Sequence, residues 1–168
     1  MKIAPKFRCL GLAASVSLLL GACSNKEEVE APAPMQAHEH HAPHGGTAVV
    51  LGDEAFHLEI VGVPGESRLT AYVLDDEMEN FIRISQLDFE VVANVAGVIQ
   101  PLTFVAVANP ATGETVGDTA QFEVLADWIA TTPRFDATLI KIVVKGETFS
   151  GVHFNFPDGN EEDEHHDH

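Results

Sequence analysis

Apolar residues at every second position are the feature that most constrains the fold of this chain. The pattern runs through residues 45–157, as where Phe56, Leu58 and Ile60 alternate with His57 and Glu59. A period of two is typical of β-strands with one buried face, whereas amphipathic helices repeat about every 3.6 residues. Turn-forming sequences separate the runs at positions 52–53, 64–67, 109–110, 112–114 and 146–147. This spacing predicts one all-β domain, an antiparallel β-sandwich of the immunoglobulin-like kind.

The cysteines and the single tryptophan do not support a true immunoglobulin domain, so only the sandwich architecture is predicted. Cys9 and Cys23 are the only cysteines, so the domain has no disulfide and no pattern of two cysteines around a tryptophan. The fold must therefore hold by packing alone, and a Cys-x-x-Cys metal or redox site is excluded. Residues 124–133, which include Trp128, fit either a short helical turn or a strand.

The N-terminus has the layout of a secretory signal. The basic residues Lys2, Lys6 and Arg8 precede an apolar run at positions 10–20, and Leu-Gly-Ala-Cys ends at Cys23. The run is about half the length of a membrane-spanning helix. Leu-Gly-Ala-Cys resembles the lipobox of bacterial lipoproteins, in which the chain is cut before an acylated cysteine. The alternative is an ordinary signal peptide with an incidental cysteine.

The lipoprotein resemblance implies a location and a domain order. Acyl chains on Cys23 would anchor the protein to a membrane facing the periplasm. Ser24 stands where a sorting rule places Asp for inner-membrane retention, which favours the outer membrane. The predicted segments are a signal peptide at 1–22, a disordered His-rich tether at 23–43, the β domain at 44–157 and a disordered acidic tail at 158–168.

The charge of the chain excludes one class of partner. Residues 1–22 hold three of the nine Lys and Arg but none of the 26 Asp and Glu. Their removal leaves six basic against 26 acidic residues, a net charge of −20. Such a polyanion is repelled by nucleic acid and attracts cations. Nucleic-acid binding is therefore not expected.

Histidines are concentrated in two tracts that flank the predicted domain. Imidazole is a common ligand of Zn²⁺, Cu²⁺ and Ni²⁺, so His-rich tracts indicate metal binding. The alternative is that these polar ends serve solubility only, since they lack the fixed geometry of a structural zinc site. The candidate metal ligands in the tracts are His38, His40, His41 and His44, and His165, His166 and His168.

Four segments carry a resemblance to a known group of proteins. They are Pro-His-Gly-Gly at 43–46, Tyr-Val-Leu-Asp at 72–75, an Asn-Pro-x-Thr-Gly-Glu-Thr-Val-Gly-Asp loop at 109–118, and Phe-Pro-x-Gly-Asn at 156–160. The chain thereby resembles small, largely uncharacterised bacterial secreted proteins and lipoproteins, related to segments that accompany heavy-metal efflux adaptors. The resemblance implies one β domain and a metal-related setting, with a metal-efflux component as partner. It implies no binding residues.

The domain itself offers one further candidate metal site. His57 and Glu59 are two residues apart on one strand face, and His153 lies in the last strand of the pattern. If these strands are neighbours, the three side chains converge on one ion, with His44 beside the flexible Gly-Gly as a fourth ligand. The alternative is that they are the solvent face of alternating strands. The acidic segment 75–80 lacks an EF-hand frame and fits a solvated loop better than a Ca²⁺ site.

Catalytic motifs are absent from the sequence, so an enzyme is not expected. The leading hypothesis is a membrane-anchored extracytoplasmic lipoprotein that binds or buffers Zn, Cu or Ni ions and is linked to metal efflux or homeostasis. The alternative is an envelope protein-interaction module with no metal role.

Overall fold

The structure, a computed structural model, describes residues 41–160. The strands form where apolar residues alternate with polar ones in the sequence. The eight strands are β1 (Thr47–Leu51), β2 (Phe56–Gly62), β3 (Arg68–Leu74), β4 (Asp88–Val95), β5 (Val98–Ala106), β6 (Gln121–Leu125), β7 (Phe135–Val144) and β8 (Glu147–Phe156). A short 3₁₀ helix, Asp127–Thr131, lies between β6 and β7.

All eight strands belong to one antiparallel sheet. Their order is β1-β2-β3-β6-β5-β4-β7-β8, so β1 and β8 are the two edges. The predicted all-β, antiparallel domain is therefore confirmed. The sheet is nearly closed on itself, and the predicted division into two sheets with an immunoglobulin-like arrangement is not confirmed. Strand twist lets a single sheet of this size curl around one core.

The inner face of the sheet carries the hydrophobic core. In β4, Phe89, Val91 and Ala93 are buried, and in β5 so are Leu102 and Phe104. The rings of Phe89 and Phe104 stack with their centroids 5.0 Å apart. The alternation read from the sequence therefore marks the inward-facing side chains in these strands.

Residues 126–131 cover part of this core. Their structure decides between the helical turn and the strand that the sequence allows for residues 124–133. β6 ends at Leu125, and the 3₁₀ helix that follows places Ile129 in the core. The ring of Trp128 packs edge-on against Phe135, with 5.2 Å between the ring centroids. The segment is thus a strand end followed by a helical turn.

Hydrogen bonds from the residues after β8 join the two edges of the sheet. The Thr47 hydroxyl donates to the carbonyl of Pro157 at 3.0 Å. The side-chain amide of Asn160 accepts from the Val50 N–H at 2.7 Å and donates to the Val50 carbonyl at 3.2 Å. Asn160, which the sequence places in the acidic tail, thereby acts as a strand partner for β1.

Several sequence predictions concern residues outside the described range. They are the signal peptide, the acylation of Cys23, the tether up to residue 40 and the tail from residue 161, with His38, His40, His165, His166 and His168. Within residues 41–160, no helix has the length and apolar character needed to cross a membrane.

Candidate ligand-binding site

The outer face of β2 is buried, which makes it unlike an ordinary solvent-facing strand. His57 and Glu59 both point to this face and are 0 % exposed. His57 lies under the loop after β3, where its Nδ1 is 3.1 Å from the carbonyl oxygen of Asp75. Glu59 lies under the segment that precedes β1. The reading of His57 and Glu59 as a solvent face is therefore wrong, because two chain segments cover that face.

Glu59 binds the segment before β1 through three hydrogen bonds. The N–H groups of His44 and Gly46 donate to its Oε1 at 2.7 Å and 3.0 Å. The Nδ1 of His44 donates to Oε2 at 2.8 Å, since a carboxylate can only accept. Adjacent backbone N–H groups form a concave anion site, and here the anion is part of the same chain. We call residues His44 to Gly46 and Glu59 the clasp.

The Gly-Gly pair explains how the backbone approaches Glu59 so closely. Gly45 has a φ of +67°, in the left-handed region that glycine adopts without strain. A Cβ at Gly46 would lie 2.8 Å from the Ile60 carbonyl oxygen and 2.9 Å from the Glu59 Cγ. Gly45 thus provides the positive φ of the clasp without strain, and Gly46 leaves the space that a Cβ would fill.

The clasp places the His44 ring in an aromatic cluster. It stacks on Tyr72 of β3, with 4.1 Å between the centroids and an interplanar angle of 16°. Phe81 packs against both rings, at 5.7 Å from His44 and 5.8 Å from Tyr72. Burial, together with the negative charges of Glu59 and Glu123, raises the pKa of Tyr72 above 10.0. The tyrosine therefore keeps its hydroxyl proton at neutral pH.

A polar network built on Glu114 faces this aromatic cluster. The Glu114 carboxylate is 8 % exposed; it accepts from the Ala120 N–H at 2.9 Å and from the Thr112 hydroxyl at 2.6 Å. The guanidinium of Arg83 lies 3.8 Å from Glu114, and it also donates to the Thr112 carbonyl. The loop at 109–118 is thus folded around a buried carboxylate and one arginine.

Between the aromatic cluster and this network lies a cavity of about 500 Å³. Its aromatic wall consists of His44, Tyr72 and Phe81. Its polar wall consists of Asn80, Arg83, Asn109, Thr112, Glu114 and Gln121. Cavities of this size with aromatic walls and a few polar groups are typical of small-molecule sites.

The acidic segment after β3 is a self-contained loop. Burial disfavours the charged form of Asp75, but hydrogen bonds from the side chain and backbone of Asn80 and the backbone of Glu79 outweigh it and lower the pKa of Asp75. Its carboxylate oxygens accept from these groups at 2.6 Å to 3.0 Å. The Asp75 side chain thus organises a turn, which agrees with the solvated-loop interpretation.

The predicted metal ligands of the domain do not converge. His153 is exposed on β8, where its Nδ1 lies 2.9 Å from the Thr138 hydroxyl, and it lines a different cavity. The strand β1 separates the edge formed by β8 from β2, which carries His57 and Glu59. Within residues 41–160, no group of three or more His, Cys, Asp or Glu side chains is placed to hold a metal ion.

The structure thus pairs two of the predicted residues and separates a third. His44 does reach Glu59, but as a hydrogen-bonded neighbour. His41, the other tract residue in the described range, is exposed.

Several residues of the cavity are not among the site residues predicted from the sequence. Phe81, Arg83 and Gln121 lie outside the segments that carried the resemblance, whereas Tyr72 and Glu114 lie within them. An arginine between two isoleucines, as in Phe-Ile-Arg-Ile at 81–84, is a usable signal, because a charged residue in an apolar run usually has a defined partner. Only the tertiary structure shows that this arginine, Arg83, pairs with Glu114.

Comparisons with known proteins find no match to this chain. No family model, no curated protein and no solved structure matches it. The resemblance to small bacterial secreted proteins and lipoproteins therefore stays a prediction.

Proposed function

We propose that this chain is an envelope protein, anchored through an acylated Cys23 and facing the periplasm, whose β domain binds a ligand in the 500 Å³ cavity. One observation carries the proposal: three segments far apart in sequence meet around that cavity. The clasp supplies His44, β3 supplies Tyr72, and the loop at 109–118 supplies Glu114 and its network. Each side chain is fixed by hydrogen bonds or stacking, so the walls of the cavity are preorganised for binding.

The composition of the chain provides a direct test of this proposal. Tyr72 is the single tyrosine and lines the cavity, whereas Trp128 is the single tryptophan and lies on the 3₁₀ helix. Fluorotyrosine and fluorotryptophan therefore place one ¹⁹F reporter at the site and one away from it. The protein from Ser24 onward is titrated with a library of neutral, cationic, anionic and aromatic small molecules.

Binding in the cavity is expected to shift the Tyr72 resonance saturably and to leave the Trp128 resonance unchanged. Phe81→Ala removes part of the aromatic wall and is expected to weaken the response, whereas Ile140→Ala, an exposed residue on β7, is the matched control. A library in which no compound shifts the Tyr72 resonance would contradict the proposal.

A second candidate function is transition-metal capture by the two His tracts. It is favoured by the placement of seven of the nine histidines in two tracts that flank the β domain. The domain supports cooperation between these tracts, because the clasp adjoins β1 and Asn160 is hydrogen-bonded to Val50 of the same strand. Two tracts attached close together raise each other's effective concentration at a shared ion. The ions expected are Zn²⁺, Cu²⁺ or Ni²⁺, and a metal-efflux component is the partner proposed for this role.

Calorimetric titration of Zn²⁺ and Cu²⁺ into the protein from Ser24 onward tests the metal role. In the test variant, Asn replaces the six tract residues His38, His40, His41, His165, His166 and His168. His44 is retained, because its substitution would disturb the clasp, and His153→Asn serves as the control. Loss of binding in the tract variant alone is the expected result, and equal binding in both variants would contradict capture by the tracts.

A further inference from the structure

The charges around the cavity disfavour a strongly charged ligand. Among the described residues that line the cavity, Arg83 is the only Lys or Arg, and its guanidinium already lies 3.4 Å from Asp118 and 3.8 Å from Glu114. An anionic ligand would have to displace these carboxylates. The two buried carboxylates nearby, Glu59 and Glu114, already accept hydrogen bonds from donors of the chain itself, so a cationic ligand would compete with these donors.

Neutral hydrogen-bonding groups remain available on the polar wall. The amide of Asn109 accepts from the Ala111 N–H through Oδ1, and Nδ2 has no partner within residues 41–160. The amide of Gln121 donates to Glu123 through Nε2, and the amide of Asn80 donates to Asp75 through Nδ2, which leaves the Oε1 and Oδ1 atoms as acceptors. The site thus offers a donor and two acceptors without net charge, a set that matches hydroxyl groups, since each hydroxyl both donates and accepts.

The aromatic wall provides the complementary apolar surface. Phe81 is 47 % exposed and lines the cavity beside the stacked rings of His44 and Tyr72. The face of an aromatic ring is electron-rich and attracts weakly positive C–H groups. A pyranose ring has one such C–H face and a rim of hydroxyl groups, so it can lie on the aromatic wall while its rim reaches the amides.

We propose that the cavity binds a neutral saccharide, stacked on Phe81 and hydrogen-bonded to Asn109 and Gln121. The proposal rests on the proposed function, ligand binding in this cavity, and specifies the chemical class of the ligand. The volume of about 500 Å³ lies in the usual range for small-molecule sites. Both free oligosaccharides and the glycan of a cell wall carry this chemistry.

The test uses the protein from Ser24 onward with fluorotyrosine at Tyr72. Neutral probes are maltose, cellobiose and N,N′-diacetylchitobiose, followed by an array of neutral oligosaccharides; choline is the cationic probe and citrate the anionic probe. Sedimentation with purified cell-wall glycan distinguishes a polymeric source from a soluble one. The expected result is a saturable shift of the Tyr72 resonance with a neutral saccharide and none with choline or citrate.

Two variants test the binding mode. Phe81→Ala removes the stacking surface and is expected to weaken saccharide binding about tenfold. Asn109→Asp keeps the acceptor that binds the Ala111 N–H but replaces the donor Nδ2, and it is expected to weaken binding to a similar extent. Ile140→Ala should leave the affinity unchanged.

The possible outcomes separate this inference from the proposed function. A shift with choline or citrate, in place of the saccharides, overturns the saccharide proposal and leaves ligand binding in the cavity intact. No shift with any saccharide overturns the saccharide proposal, whereas ligand binding in the cavity is overturned only if the small-molecule library also leaves the Tyr72 resonance unshifted. Equal loss of affinity in Phe81→Ala and Ile140→Ala also overturns the saccharide proposal, because the binding surface would then lie elsewhere.

Discussion

The Nδ1 of His44 lies 2.8 Å from the carboxylate of Glu59, fifteen residues further along the chain. This contact fixes the segment before β1 on the outer face of β2. It also orients the imidazole ring against Tyr72, at the wall of the cavity. The buried carboxylate of Glu59 therefore holds this segment over β2 and also positions one wall of the candidate ligand site.

Replacement of Glu59 by glutamine is expected to destabilise the domain. Glutamine keeps one acceptor oxygen for the two backbone N–H groups, but its NH₂ group cannot accept from the His44 Nδ1. The loss of a buried charge-assisted hydrogen bond predicts a cost of about 2 kcal/mol, measured as the free energy of unfolding in urea.

Glu66→Gln is the control for that measurement. Glu66 also pairs with a cation, Arg68, but both side chains are nearly half exposed. Surface ion pairs contribute little, so its effect should stay within about 0.5 kcal/mol. Equal stability of the two variants would mean that the clasp does not stabilise the domain.

The two glycines of the clasp are expected to respond differently to alanine. At Gly45 a Cβ meets no atom within 4 Å, so Gly45→Ala carries only the strain of a positive φ, about 1 kcal/mol. At Gly46 a Cβ would overlap the Ile60 carbonyl and Glu59, which predicts a loss of about 3 kcal/mol from forced repacking.

Thermal and urea unfolding of both glycine variants measures the difference. Gly65→Ala, with a φ of +83° and open space around the Cβ position, should match Gly45→Ala. A Gly46→Ala variant as stable as Gly45→Ala would show that the segment before β1 is not held against β2 as described.

The strand pattern was predictable from sequence because burial of one sheet face imposes a period of two. The inward residues of β4 and β5, such as Val91 and Phe104, follow that rule. The closure of the sheet was not predictable, because alternation tells which face is inward but not which strands become neighbours. For example, β3 pairs with β6 although two strands, β4 and β5, lie between them in the sequence.

The candidate site was harder to predict for a similar reason. His57 and Glu59 alternate with apolar residues as solvent-facing residues do, and only the segments that fold over β2 bury them. His44 was a reasonable candidate for a movable ligand, and its position beside Glu59 reflects the freedom that Gly45 gives the chain. Arg83 and Glu114 are thirty-one residues apart in numbering, so no local pattern could show that they meet.

Asn160 is expected to protect β1 from local opening. Its amide makes two hydrogen bonds to the backbone of Val50, at the edge of the sheet. Asn160→Ala removes both and should cost about 1–2 kcal/mol. Hydrogen exchange of the Val50 amide should accelerate in parallel, because exposed strand edges open readily.

Asn94→Ala provides a matched control, since Asn94 accepts from the Gly97 N–H in the turn that joins β4 to β5. It removes an asparagine hydrogen bond without touching β1, so exchange at Val50 should change only through global stability. Unchanged exchange at Val50 in Asn160→Ala would contradict the role of Asn160 as a partner of β1.

The titration of Tyr72 reports directly on the negative charge of Glu59. Burial is the largest cause of the raised pKa of Tyr72, followed by the charges of Glu59 and Glu123. Above its ordinary value of 10.0, the unfolded chain releases the tyrosine proton while the folded chain still holds it. The folded state then binds more protons, so stability from this group is complete below pH 10 and falls as the pH rises through the folded pKa.

Glu59→Gln is expected to lower the pKa of Tyr72 towards 10.0 without reaching it, because burial remains. Since Tyr72 is the single tyrosine, the ultraviolet absorbance of tyrosinate follows this one group. Glu147→Gln, at an exposed position on β8, should leave the titration curve of the wild type unchanged. If the Glu59→Gln curve coincides with the wild-type curve as well, the carboxylate of Glu59 does not act on Tyr72, and the electrostatic link between the clasp and the cavity is absent.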